Sequence, residues 1–313
     1  MPENIYQMKS SKGDFTWINI TNAQKAEISY LRKKFKFDEL DLRDTYSKNI
    51  AQRPKFYTRN NYAFLILQFP VYDRKRRKID AEEVDFFIGS HSFITAHKNN
   101  LPPLVELANC CMTDKFYLEQ YLSDGNAMLL YEIVLRLQEY CYPIMDHISL
   151  DIKNIEKNIF EGREREMVRE ILLIKRNILN FRQIMEAHKD VIQKLSKSEP
   201  NYLQGKIMKN FYFDLIEHTK NIWDILNGQK EMIEALEDTN GSLISFKLND
   251  IMKTLTVFSV IVFPLTLLAA IFGMNTIVSM PLVEHPYGFW IIAALMLVGA
   301  LGMYLYFRKK KWI

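Results

Sequence analysis

Asp238, Ser242, Ser245, Asn249, Met252, Thr256, Ser259, Phe263, Thr266 and Ala270 follow one another at steps of three and four, so one helix face carries them all. Hydroxyls, an amide and small side chains offer oxygen without charge, which suits a cation that keeps its water. Met252 and Phe263 add apolar collars that can close such a passage by dewetting. Gly273-Met274-Asn275 ends the row: glycine bares backbone carbonyl oxygen, and Asn275 adds an acceptor that becomes a ring when several chains meet. The functional reading is a pore for a hydrated ion. The bland reading is that Ser259 and Thr266 bond back to their own helix, small residues allow close packing, and Gly with Asn merely caps a C-terminus.

The elements that position this row are two apolar stretches. No charged side chain lies between Lys253 and Glu284, and residues 255–272 alone approach the roughly 20 needed to cross about 30 Å of hydrocarbon. Residues 289–307 form a second uncharged stretch, so the short link makes a membrane hairpin. Arg308, Lys309, Lys310 and Lys311 follow the second span, Lys247 and Lys253 precede the first, and the link has no Lys or Arg. By the positive-inside rule both ends face the cytoplasm. Tyr287 and Trp290 at one boundary, and Tyr304, Tyr306 and Trp312 at the other, match interfacial aromatic belts. Neither span holds a carboxylate, histidine or cysteine, which argues against a dehydrating zinc or copper relay and against proton-coupled carboxylate chemistry.

The 313 residues leave room for a soluble domain with its own core ahead of the spans. A polar N-terminus indicates no cleaved signal, and Cys110, Cys111 and Cys141 show neither metal-ligand spacing nor a disulfide framework. The net charge of +4 comes largely from the C-terminal basic run, and Arg74 to Lys78 reads as a solvated turn, so no nucleic acid is expected. No Ser/His/Asp grouping, HExxH, CxxC pair or phosphate-binding glycine loop appears, which leaves an enzyme without machinery and an organic cofactor without a cradle. His91, His97, His147, His188 and His218 are scattered, each read as a surface or satisfied core residue.

Residues 1–125 read as a small α/β domain: strands near 15–20, 62–69, 83–88 and 92–96, a helix over 21–34 capped by Thr21 or Asn22, and short helices near 101–109 and 115–122. Residues 126–197 read as a long antiparallel helix pair, kinked at Pro143 and broken near Phe160-Glu161-Gly162. A stalk helix over 198–253 continues into a transmembrane hairpin over 254–313, with spans 254–272 and 289–307, an outer loop 273–288 and a basic tail.

With these residues in place the chain resembles the CorA magnesium transporters over essentially its whole length. The resemblance rests on Gly273-Met274-Asn275 after a span containing Phe263-Pro264-Leu265-Thr266, and on the closing Lys309-Lys310-Lys311-Trp312. Arg53-Pro54-Lys55, Tyr142-Pro143 and Met252-Lys253-Thr254-Leu255-Thr256 add to it. It implies a funnel-shaped homopentamer: an α+β cytoplasmic domain, a long helical stalk and two C-terminal transmembrane helices in the plasma (inner) membrane. It implies Mg²⁺ uptake down the electrochemical gradient, with Co²⁺ or Ni²⁺ as further cargo. Gly273, Met274 and Asn275 would admit the ion, and Asp238, Asn249, Met252, Leu255, Phe263, Thr266 and Ala270 would line its path. It also implies a regulatory Mg²⁺ between cytoplasmic domains at Asp214, with Glu82, Glu83 or Asp85 as partner.

The chain departs from the family pattern at Phe272, where Tyr is usual, and in an outer loop whose one acid, Glu284, stands beside His285. That loop leaves selectivity among Mg²⁺, Co²⁺, Ni²⁺ and Zn²⁺ open, so a Zn²⁺ transporter of the same architecture is the alternative within the family. From another class, a membrane-tethered helical scaffold or sensor explains the charges equally well, though not the polar stripe.

Overall fold

A computed structural model describes residues 2–10, 15–46, 52–123, 125–198, 208–274, 285–310 and 312. It divides into two compact units, Met1–Glu237 and Asp238–Ile313. The strands are β1 (Ile5–Lys9), β2 (Thr16–Thr21), β3 (Lys55–Thr58), β4 (Tyr62–Asp73), β5 (Lys78–Gly89) and β6 (Ser92–His97). The helices are α1 (Lys25–Phe35), α2 (Glu39–Tyr46), α3 (Pro102–Thr113), α4 (Lys115–Leu122), α5 (Gly125–Glu139), α6 (Cys141–Phe160), α7 (Glu164–Glu186), α8 (His188–Ser198), α9 (Met208–Phe272) and α10 (Gly288–Lys309).

The N-terminal unit is built on one sheet in the order β1-β2-β6-β5-β4-β3, antiparallel throughout except for β2 beside β6. β4 is apolar almost without a break because helices cover both faces of the sheet. Its Phe64 and Ile66 join Ile18, Ile20, Phe87 and Ile94 in a core with Ile28, Leu31 and Leu42 of α1 and α2. The alternate residues Ala63, Leu65, Leu67 and Phe69 join Trp17, Val84, Phe86 and Ile88 in a second core with side chains of α3, α4, α5, α8 and the start of α9. β1 and β3 escape the sequence pattern because they are short edge strands, exposed along much of their length.

Local signals place the joints. Gln24, not Thr21 or Asn22, caps α1: its backbone N–H donates to Glu27 Oε2 at 2.9 Å, while Asn22 sits at φ +52° in the turn before it. Arg74 to Arg77 make the β4–β5 turn, in which Asp73 Oδ1 accepts from the N–H of Lys75 at 2.8 Å and of Arg76 at 3.1 Å. Arg77 then reaches Glu170 of α7 at 2.7 Å, so part of the basic cluster is neutralised within the protein.

Where a pair of long helices is expected over 126–197, the chain makes four. α5 ends at Glu139 and α6 restarts at Cys141, which puts Pro143 in a first turn, where a missing N–H leaves no helical bond unmade. The expected kink is therefore a break. α6 ends in a glycine cap: Gly162 at φ +89° lets its own N–H reach Ile159 O at 3.1 Å and that of Arg163 reach Asn158 O at 3.0 Å. Isoleucines at 144, 148, 152, 155 and 159 of α6 and at 171, 174 and 178 of α7 form the buried faces of the two helices.

α9 is a single helix of 65 residues, about 98 Å at 1.5 Å per residue, with Pro264 inside it. Its expected beginning at 198–207 lies, from residue 199, outside the described residues. α9 and α10 are both long and apolar enough to cross a membrane, and their apolar windows are almost wholly unburied. The second helix runs one residue earlier and two residues later than the span expected from the sequence.

Candidate functional site

In the C-terminal unit the polar stripe lies along α9 as an open face. Asp238, Ser242, Ser245, Asn249, Thr256, Thr266 and Ala270 are exposed, and Ser259 is half-buried. Met252, Leu255 and Phe263 leave 53%, 56% and 72% of their surface uncovered, far more than apolar side chains keep inside a finished assembly. Leu255 stands on the stripe's flank, three residues after Met252 and four before Ser259.

Four of the five stripe hydroxyls share one geometry. Ser245 Oγ donates to Gly241 O at 2.9 Å, Thr256 Oγ1 to Met252 O at 2.8 Å, Ser259 Oγ to Leu255 O at 2.8 Å and Thr266 Oγ1 to Val262 O at 2.9 Å. A hydroxyl has one proton and two lone pairs. With the proton committed to the helix's own carbonyl, each oxygen is left as an acceptor only. Bonding back, the bland reading of these residues, thus also leaves a row of acceptors of the kind a cation's water shell needs.

The helix closes at Phe272, where Gly273 N–H reaches Ala269 O at 2.9 Å and Met274 N–H reaches Ile271 O at 3.3 Å. A β-carbon at Gly273 would lie 3.1 Å from the Ala269 oxygen, so any larger residue crowds this last turn. The helix end also carries partial negative charge from its carbonyls. Met274 is exposed, whereas Asn275 and the loop through Glu284 lie outside the described residues. His285 is exposed and accepts the Tyr287 N–H at Nδ1, 3.2 Å away.

Asp214 lies in the N-terminal unit on the early part of α9. Its Oδ2 accepts the Tyr131 hydroxyl proton at 2.7 Å and lies 4.0 Å from His218 Nε2, and its side chain remains 43% exposed. His218 Nδ1 in turn lies 3.2 Å from the Tyr142 hydroxyl. Nothing local in the sequence marks this group: Tyr131 stands 83 positions from Asp214. The periodicity of α9 does put His218 one turn beyond Asp214, a signal that reading the histidines singly passes over.

The three acids considered as partners of Asp214 sit on β5. Glu82 Oε1 accepts from Asn100 Nδ2 at 3.0 Å, and Glu83 Oε2 accepts the Gln52 backbone N–H. Burial holds the Glu83 carboxyl above the usual carboxylate range. Asp85 is sealed in the core, and burial together with the neighbouring Glu83 charge raises it well above that range. Among the described residues, no three His, Cys, Asp or Glu side chains come together to hold a metal. Asp214 offers a half-exposed carboxylate, of a kind that suits a cation keeping most of its water.

Residues 12–309 match the family described as "CorA-like Mg2+ transporter protein". The chain is 27% identical over 299 residues to a cobalt/magnesium transport protein of Thermotoga maritima, a match covering 95% of this chain and 83% of that one. The complete structure of the CorA magnesium transporter of Methanocaldococcus jannaschii superposes with a TM-score of 0.86 at 21% identity, covering both chains entirely. The cytoplasmic domain of ZntB from Vibrio parahaemolyticus shares the fold at a TM-score of 0.58 and 12% identity, covering 77% of this chain and 98% of that domain.

Proposed function

The chain belongs to the CorA-like Mg²⁺ transporter family, and on that premise we propose that it carries Mg²⁺ across the plasma membrane as a homopentameric channel, with Co²⁺ or Ni²⁺ as further cargo. Five copies of α9 surround one axis, with the hydroxyl and amide stripe facing inward. The observation that carries this reading is the row of four hydroxyls left as acceptors. A hydrated cation points its water hydrogens outward, and Ser245, Asn249, Thr256, Ser259 and Thr266 offer lone pairs along the way. Gly273 and Asn275 receive the ion at the outer mouth, and Asp238 and Ala270 belong to the same path. Met252, Leu255 and Phe263 are the collars that dewet when the pore closes. A divalent ion falling through 100 mV gains about 4.6 kcal/mol, twice the single-charge value, so the gradient alone can drive uptake.

Both termini lie in the cytoplasm. There Mg²⁺ bound at Asp214, completed by a carboxylate of a neighbouring copy, neutralises facing charges and holds the assembly closed. Glu82 and Glu83 are the better-exposed candidates for that carboxylate. Loss of the ion lets the copies separate and the collars wet.

The test is ion flux into liposomes containing the purified protein, with Mg²⁺, Co²⁺, Ni²⁺ and Zn²⁺ compared for the wild type and for Asn275→Ala. Wild type is expected to conduct Mg²⁺, and the variant to lose at least about tenfold of the flux, the loss that follows removal of about 1.4 kcal/mol of ion stabilisation. Flux of Zn²⁺ alone would shift the reading to a zinc transporter. No flux of any ion in wild type would leave a scaffold.

A further inference from the structure

We infer that Tyr131 is a positioning residue for the Asp214 carboxylate: its phenol fixes Oδ2 and so leaves Oδ1 presented to a hydrated divalent cation. The inference rests on the reading of Asp214 as a regulatory ligand and adds a residue that the reading does not contain.

The geometry is specific. Tyr131, on α5, donates to Asp214 Oδ2 at 2.7 Å, a short charge-assisted bond between elements 83 residues apart. The Tyr131 ring is stacked on Phe211 with centroids 4.4 Å apart and planes 18° from parallel. Phe211 stands three residues before Asp214 on α9, so the helix carrying the carboxylate also clamps the ring that holds it. Burial and the bond to Asp214 push the Tyr131 phenol up to about 12, so it keeps its proton and remains a donor at physiological pH.

Neighbouring bonds fix the same turn. Gln138 Nε2 donates to Leu215 O at 3.1 Å and to Thr219 Oγ1 at 2.9 Å, and the Tyr142 hydroxyl meets His218. α5 and α6 therefore grip residues 214–219 of α9 at three places. A carboxylate already held by one oxygen loses little freedom when the other meets an ion or its water. Mg²⁺ binds through one or two carboxylates and keeps several waters, so one free oxygen suffices. Partners that orient a ligand in this way are typically worth roughly 10–100-fold in metal affinity.

The experiment uses the purified full-length protein and follows Mg²⁺-dependent protection from limited proteolysis, with thermal denaturation in parallel. Tyr131→Phe keeps the ring on Phe211 and removes only the oxygen. The expected result is a rise of about tenfold or more in the Mg²⁺ concentration giving half protection, with the Mg²⁺-free thermal midpoint little changed. Asp214→Asn is expected to abolish the Mg²⁺ dependence. Phe211→Leu, which leaves the hydroxyl but unclamps the ring, is expected to give a smaller rise and keeps the test open should Tyr131→Phe fail to fold. If Tyr131→Phe protects at the wild-type concentration while Asp214→Asn does not, the positioning role is wrong and the regulatory reading of Asp214 survives. A fall in the half-protecting concentration for Tyr131→Phe also overturns the proposal, because the phenol would then be competing with the cation. Wild-type behaviour in Asp214→Asn removes the regulatory reading itself, and the role of Tyr131 with it.

Discussion

Two histidines in the N-terminal unit are kept neutral by burial, and that neutrality has a stability consequence. His97 Nε2 lies 3.0 Å from Asn19 Oδ1, and its Nδ1 accepts the Asn99 N–H at 3.1 Å. His188 Nε2 lies 2.6 Å from the Gln68 carbonyl oxygen, edge-on to the Phe69 ring. Burial lowers both to about 4, against about 6.5 in an unfolded chain. The unfolded state therefore binds more protons between those values. Their contribution is complete above about pH 6.5 and is lost as pH falls toward about 4, at up to about 1.4 kcal/mol per pH unit for each. Thermal denaturation in detergent at pH 7 and pH 5 should show a clear drop at the lower pH. His97→Gln and His188→Gln should each shrink that drop, and an undiminished drop in both would mean that other groups set the acid sensitivity. These roles were only partly legible: a scattered histidine can be read as buried and satisfied, but Asn19, 78 positions from His97, is supplied by the parallel pairing of β2 with β6.

Secondary-structure elements here obey local chemistry wherever a backbone position decides the outcome. Gly162 turns the chain from α6 into α7 at φ +89°, a conformation that costs an L-residue with a side chain about 1–2 kcal/mol. Gly228 sits in mid-α9, and an added β-carbon there meets nothing within 4 Å. The two glycines should respond with opposite signs. Gly162→Ala is expected to lower thermal stability, whereas Gly228→Ala is expected to raise it by up to about 1 kcal/mol through helix propensity. Equal shifts in the same direction would show that the α6 cap is not what holds Gly162. The joint at Gly162 could be read from glycine followed by a charged restart. The break at Tyr140 could not, because Tyr140 itself keeps helical angles, φ −62° and ψ −20°, and only the position of Pro143 relative to the interruption decides between a kink and a new helix.

At the scale of the whole molecule, a chain with two membrane-spanning helices leaves Phe246, Leu248, Ile251, Phe258 and Phe263 largely uncovered on α9, and these side chains need lipid or other copies against them. The proposed channel assigns one face of the helix to neighbouring copies. Native mass spectrometry from detergent is expected to give a pentamer, and a monomeric mass under conditions that preserve flux would sink the axial path. The sequence by itself determined the two spans, the polar stripe and its Gly-Met-Asn end, because hydropathy and helical periodicity are properties of residues within a few turns of one another. It also carried the family. Only the tertiary structure decided that Asp85 is sealed in the sheet while Glu82 and Glu83 keep some exposure, and that Tyr131 holds Asp214. Burial depends on which helices cover a sheet face, and a bond across 83 residues depends on how two helices dock, so neither is written in any local stretch of chain.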